Sequence, residues 1–339
     1  MTLPRRAQVA LNRTPYYHCI SRCVRRAFLC GIDAYTGKDF DHRKQWVLDR
    51  IAQQGAVFAI DVCAYAIMSN HFHLVIQVEP SRAQSWSDEE VIHRWTQLFK
   101  GPLLVQQWLA GEELSPAEWD TVKEIAGVWR RRLADISWYM RCLNEHLARR
   151  ANAEDDCTGR FWEGRFKSQA LLDEAALLAC MAYVDLNPVR AGLATSLAES
   201  DFTSVQQRLR ALEREESTKD GEVRQDAGQK VPLAQFSGEK PGSCARGTEL
   251  PFRLCDYVRL VEDTGHTAVP GKRGALSEHC ESILRPLSLT ADQWQLLSID
   301  VQAASLSVVG NLGRLRSFCN DTGRSRLPPL GLLKQVYQR

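Results

Sequence analysis

The stretch from Ala56 to Val78 constrains the fold more than any other part of the chain. Val57, Phe58, Ile60, Val62, Tyr65 and Ile67 make Ala56 to Met68 a long strand-forming run, and His71 to Val78 is a second. Branched and aromatic side chains suit a pleated surface and lose rotamer freedom in a helix. Ser69-Asn70 between the runs is turn-prone, so the pair reads as a hairpin. A lone hairpin is marginal in water, so the rest of the chain must supply further strands and a helical cover.

Tyr16 to Arg22 reads as an earlier strand, and Phe40 to Gln54 as a helix with Trp46, Val47 and Ile51 on one side, stopped by Gly55. Ser87 with Glu90, and Ser115-Pro116 with Glu118, are capping signatures that open two helices. The second carries Trp119, Val122, Ile125, Ala126 and Trp129 at helical spacing, a packing stripe. A further helix runs from Ile136 to Ala151, Arg165 to Leu172 reads as a strand, and Asp173 caps a helix through Leu177, Leu178 and Met181 into Tyr183. Pro188 is expected to terminate it. This order predicts an α+β fold of the split βαβ kind, an antiparallel sheet with helices on one face.

At 339 residues the chain has room for two cores. We divide it into residues 1–212, a linker over 213–250 rich in charge, Gly, Ser and Gln, and a smaller, mainly helical region over 251–339. In that last region Leu254, Tyr257, Val258 and Val261 recur at helical spacing, and Ala291 to Val309 reads as helical. The absence of an apolar run of membrane-spanning length excludes a helical membrane protein. No export signal and 11 cysteines, an odd number, point to reduced thiols and a cytoplasmic location. Cys19, Cys23 and Cys30 lack a Cys-x2-Cys pair and read as small apolar fillers.

Net charge is only +2, and residues 1–200 balance at 24 basic against 24 acidic side chains. Arginine nevertheless outnumbers lysine there by 19 to 5, and arginine is the better fork for phosphate. Residues 1–32 hold Arg22, Arg25 and Arg26 among other arginines and no acid. Arg160, Arg165, Lys167 and Arg190 are further basic points. Charge of this kind permits nucleic-acid binding without requiring it.

His71 and His73 flank Phe72 in a strand, so their side chains share one face about 7 Å apart, a spacing that suits two imidazoles on one metal ion. By itself such a pair reads sooner as two strand histidines, one hydrogen-bonded in the core. Tyr183 and Asn187 lie four residues apart, one turn of the same helix face. If that face looks onto the two histidines, ligands converge beside a phenol. With a divalent cation polarising a phosphate, attack by the phenol becomes feasible. Asp185 points off this face and reads as a solvated charge or a local salt-bridge partner; Trp162 reads as packing under the sheet.

Three blocks resemble the single-tyrosine HUH transposases, and most nearly the REP-associated tyrosine transposases, over about Pro15 to Gly192. They are His71-Phe72-His73 preceded by Met68-Ser69-Asn70, then Gly159 to Phe166, then Tyr183-Val184-Asp185-Leu186-Asn187-Pro188-Val189-Arg190-Ala191-Gly192, in that order. The resemblance implies a ferredoxin-like domain that cleaves and rejoins single-stranded DNA near a hairpin. It makes Tyr183 the nucleophile, leaving a 5′-phosphotyrosine and a free 3′-hydroxyl, and makes His71, His73 and Asn187 ligands to Mg²⁺ or Mn²⁺. Asn187 stands where the wider family often has glutamine. Arg22, Arg25, Arg26, Arg160, Arg165, Lys167 and Arg190 are the expected DNA contacts. The partner expected is single-stranded or hairpin DNA and not a membrane, with monomer and homodimer both open. Residues 101–132 are longer than the family's usual connection and read as a helical insertion, and Leu147 stands where many relatives carry a further tyrosine. Two other classes share these residues: a hairpin-binding regulator that does not cut, and a phosphoesterase in which water attacks.

Overall fold

The computed structural model describes residues 4–24, 29–33, 36–219, 230–237, 249–268, 276–300 and 306–337. Arg25, Arg26 and the basic turn Gly271-Lys272-Arg273-Gly274 lie outside them. In chain order the elements are β1 (Tyr16–Arg22), α1 (Arg43–Val57), β2 (Ile60–Ile67), β3 (His71–Val78), α2 (Pro80–Ser85), α3 (Asp88–Thr96), α4 (Leu103–Leu109), α5 (Pro116–Leu133) and α6 (Ile136–Glu154). There follow β4 (Lys167–Leu171), α7 (Glu174–Asp185), α8 (Asn187–Arg190), α9 (Ser204–Lys219), α10 (Leu254–Ala268), α11 (Glu278–Leu284), α12 (Ala291–Asp300), β5 (Val308–Val309), α13 (Leu312–Asp321) and α14 (Gly331–Tyr337). The fold is α+β. Among the described residues no helix is long and apolar enough to cross a membrane.

The strands form one sheet in the order β2-β3-β1-β4-β5, antiparallel except for the β4–β5 pair. Residues 60–67 and 71–78 pair as a hairpin, with a bulge between Val62 and Ala64, whereas Ala56 and Val57, expected to begin the first strand, close α1 instead. The buried Arg208 of α9 donates to the Cys63 carbonyl at that bulge. The outer edge of β2 is not left open: Ile67 N–H donates to Phe202 O and Ala234 N–H to Val62 O. Covering an edge in this way removes a template for unwanted strand addition.

Helices cover both faces of the sheet, not one. In β1 and β3 the residues paired directly across from each other share a face, and Ile20 pairs with His73 while Ser21 pairs with Phe72. On the Ser21–Phe72 face lies α6, whose Asn144 donates to the Ser21 hydroxyl, and α1 joins it through Gln54, which donates to the Tyr139 carbonyl. Trp162 packs here too, edge-on to Phe72, with its indole N–H on the Asn144 carbonyl. The histidine face is covered by α7. Strands buried on both faces carry continuous apolar runs, and Leu74-Val75-Ile76 is such a run.

Every residue of α7 from Ala175 to Asp185 is buried. One side rests on β2, β3 and β4 and the other on α10 and α12. An apolar surface all round is the mark of a core helix, and Leu177, Leu178 and Met181 each contribute about 1.5–3 kcal/mol by leaving water. Both flanking carboxylates are tied to the C-terminal region. Asp173 caps the helix at Ala176 N–H and also accepts from Asn311 N–H and the Tyr337 hydroxyl. Asp185, expected to be solvated, is fully buried: it accepts from Ser204 Oγ, Val205 N–H and the Tyr257 hydroxyl, and so joins α7 to α9 and α10. Burial pushes its pKa up against the pull of those donors and of Arg208.

Three boundaries differ from expectation. Pro188 does not simply stop the helix. α7 ends at Asp185, and Pro188 sits in the first turn of α8, where its missing N–H costs nothing. The run expected to be helical from Ala291 to Val309 ends instead in a strand, Val308–Val309, added in parallel to β4, while Ala291 to Asp300 is helical. Lastly, α1 runs through Gly55 to Val57. That glycine answers to packing: a Cβ there would lie 2.5 Å from Pro232 Cγ. Gly55→Ala gains about 1 kcal/mol of helix propensity but overpacks the contact at about 1–3 kcal/mol. We expect a lower urea midpoint for Gly55→Ala; a raised one would mean that Pro232 shifts freely.

Candidate active site

Sheet register assembles the site before any helix is added. His18 on β1 and His73 on β3 lie diagonally across the strand pair on one face, with His18 Nε2 3.0 Å from His73 Nδ1 and rings stacked at 5.2 Å. His71 is next along that face of β3, its ring 4.8 Å from that of His73 and its Nδ1 2.6 Å from Asn70 Oδ1. Asn70, in the hairpin turn, therefore holds a proton on His71 Nδ1 and leaves the lone pair on Nε2.

The helix end then arrives. Tyr183, in the last turn of α7, places its ring 5.9 Å from His73 and 6.4 Å from His18, both edge-on. The Arg190 guanidinium also lies over that ring, 4.7 Å from its centre, and donates to the Ile299 carbonyl. Burial pushes the Tyr183 hydroxyl above its ordinary pKa, while the Arg190 charge and a hydrogen bond with Asn187 pull it back. Asn187 is half-buried and opens α8 just after the turn at Leu186, so its approach to Tyr183 is set by the α7–α8 break as well as by helical spacing.

Burial, first among the causes, lowers His18 and His71 from 6.5 to about 4 and His73 well below 6.5. The Arg22 and Lys167 charges add to the effect at His71. The folded values lie below the unfolded one, so as pH falls the unfolded chain takes up these protons first. Stability from the neutral imidazoles is complete above pH 6.5 and is lost progressively as pH falls toward about 4. A urea midpoint that stays flat across this window would contradict the burial of the cluster.

Of the basic residues picked out by sequence, Arg22 stands directly across the sheet from His71, and Lys167 opens β4 beside Ile20 on the same face. Both are exposed, as are Arg160, Arg165 and Arg190. Arg25 and Arg26 fall outside the described residues. His18 and Gln169 were not among the residues singled out. A single histidine in a strand carries no signal of its own, and only the β1–β3 and β1–β4 registers reveal what it meets.

Among the described residues no group of three or more His, Cys, Asp or Glu is arranged to hold a metal ion. A divalent cation at this site would take the imidazoles of His71 and His73 and the carboxamide oxygen of Asn187. That neutral nitrogen and oxygen set suits Mn²⁺ better than Mg²⁺. The hydrogen bond of His71 Nδ1 to Asn70 Oδ1 fits such a role, since it assigns the lone pair to Nε2.

No protein-family model matches the chain, and no curated protein does. Among solved structures it is similar to one described as the REP-associated tyrosine transposase bound to a REP hairpin. The two are 12% identical, with 67% of this chain and 96% of that one covered and a TM-score of 0.36. A likeness that slight assigns neither fold nor function to this chain.

Proposed function

We propose that this chain is a metal-dependent single-stranded DNA endonuclease and strand transferase that acts at hairpin ends, with Tyr183 as its nucleophile. The observation that carries the reading is the seating of a buried tyrosine ring against both His73 and Arg190 on the sheet face that also presents His71. The strand order β2-β3-β1-β4 with α1 and α6 on one face supports a ferredoxin-like split βαβ core. In this reading α7 and β5 are additions to that core.

Tyr183 Oη attacks the phosphorus, forming the phosphotyrosine bond as the bond to O3′ breaks. The phenolic proton passes to water as attack proceeds, and the departing 3′ oxygen takes up a proton from water. Arg190 beside the ring favours the phenolate, and Arg22 and Lys167 offset phosphate charge at the His71 end. A bound Mg²⁺ or Mn²⁺ held by His71, His73 and Asn187 would polarise the scissile phosphate. Rejoining is the same displacement in reverse, with an incoming 3′-hydroxyl expelling the tyrosine.

The test uses end-labelled single-stranded hairpin oligonucleotides, incubated with Mn²⁺ and resolved on denaturing gels. A protein–DNA band that survives denaturation and is lost with chelator is the expected result. Retardation on native gels without cleavage under any metal would replace the enzyme by a hairpin-binding regulator. Cleavage with no covalent band would point to attack by water.

A further inference from the structure

A chain of hydrogen bonds runs from the C-terminal region to His73 through two buried side chains that sequence did not single out. It begins at the Leu306 carbonyl, just before β5, which accepts from Gln169 Nε2 at 2.8 Å. That bond decides which way round the Gln169 carboxamide lies, and so turns its Oε1 toward His18 Nδ1, 3.4 Å away. A carboxamide oxygen only accepts, so His18 Nδ1 must carry the hydrogen. In a neutral imidazole the lone pair is then on Nε2, and that atom faces His73 Nδ1 at 3.0 Å. His73 Nδ1 must donate in turn, and its lone pair falls on Nε2.

We propose that His18 and Gln169 are positioning residues that hold His73 in its Nδ1–H tautomer, ready to bind metal through Nε2, and that the Leu306 carbonyl sets the direction of the chain. The inference rests on the reading of His73 as a metal ligand. All three side chains are at least nine-tenths buried, so water does not compete for these bonds. An unconstrained neutral histidine favours the opposite tautomer, with the hydrogen on Nε2 and the lone pair turned away from that role. Fixing a ligand's tautomer by its outer hydrogen bond is worth about 10–100-fold in metal affinity. The C-terminal region thereby acts on the chemistry of the site through a backbone carbonyl, without contributing a side chain.

The experiment uses the full chain, metal-free and ¹⁵N-labelled, with long-range ¹H–¹⁵N spectra of the histidine rings near neutral pH, followed by titration with Mn²⁺. His73 should show a protonated Nδ1 and a bare Nε2. His18→Phe and Gln169→Leu should each shift it toward the Nε2–H form and weaken Mn²⁺ binding by about 10–100-fold. His18→Gln, which keeps an acceptor for His73, should recover most of that loss. An Nε2–H His73 in the unaltered protein overturns the proposal, as does unchanged tautomer and affinity in both His18→Phe and Gln169→Leu. The expected tautomer in a protein that takes up no Mn²⁺ would overturn the metal reading and the affinity claim, while the hydrogen-bond assignment would stand.

Discussion

Tyr183→Phe is expected to form no covalent adduct with hairpin DNA and to cleave it at least about a thousandfold more slowly, while binding it as before. The substitution removes one oxygen and keeps the ring, so the edge contacts with His73 and His18 and the Arg190 stack are retained. It gives up the hydrogen bond with Asn187. Unfolding in urea should therefore move little, which separates a chemical defect from a folding one. Residual adduct in Tyr183→Phe would place the nucleophile elsewhere, and undiminished cleavage would give the attack to water.

Asp185→Ala is expected to cost about 3–5 kcal/mol, as breaking a buried charged network does. The carboxylate serves Ser204, Val205 and Tyr257 together, and its loss would strand their donors in the interior. It also faces the start of α9, where an acceptor for the first free N–H groups is worth most. Asp185→Asn should lose less, because the carboxamide oxygen still accepts from Ser204 and Val205. Chemical unfolding measures both; a loss below about 1 kcal/mol for Asp185→Ala would show that neighbouring groups or water replace the carboxylate.

What was legible in the sequence was what short range decides. Strands β1 and β3 are found where their side chains placed them, and the Ser115–Glu118 capping box forms in full, with each partner bonded to the other. Elements defined by distant partners were not legible. Gly55 looks like a stop until Pro232 is seen against it. Val308–Val309 is too short to signal a strand, and exists because β4 offers an edge. Asp185 looks like any surface acid because Ser204 and Tyr257 are far along the chain. The site divides in the same way: the His71–His73 pair shows in its alternation, whereas His18 and Gln169 need the sheet register to be noticed.

The clamping of α7 at both ends has a consequence for how the molecule breathes. Asp173 is held by Asn311 and Tyr337, Asp185 by Tyr257, and the helix is buried from Ala175 to Asp185. Such a helix has no surface turn from which to fray, and opening any part of it breaks ties to segments that lie more than seventy residues later in the chain. Its amide hydrogens should then exchange with solvent only when the whole fold opens, at the global limit of protection. The nucleophile proposed here would stand on the slowest-opening part of the protein, and whatever motion admits a DNA strand must come from the exposed basic rim around it.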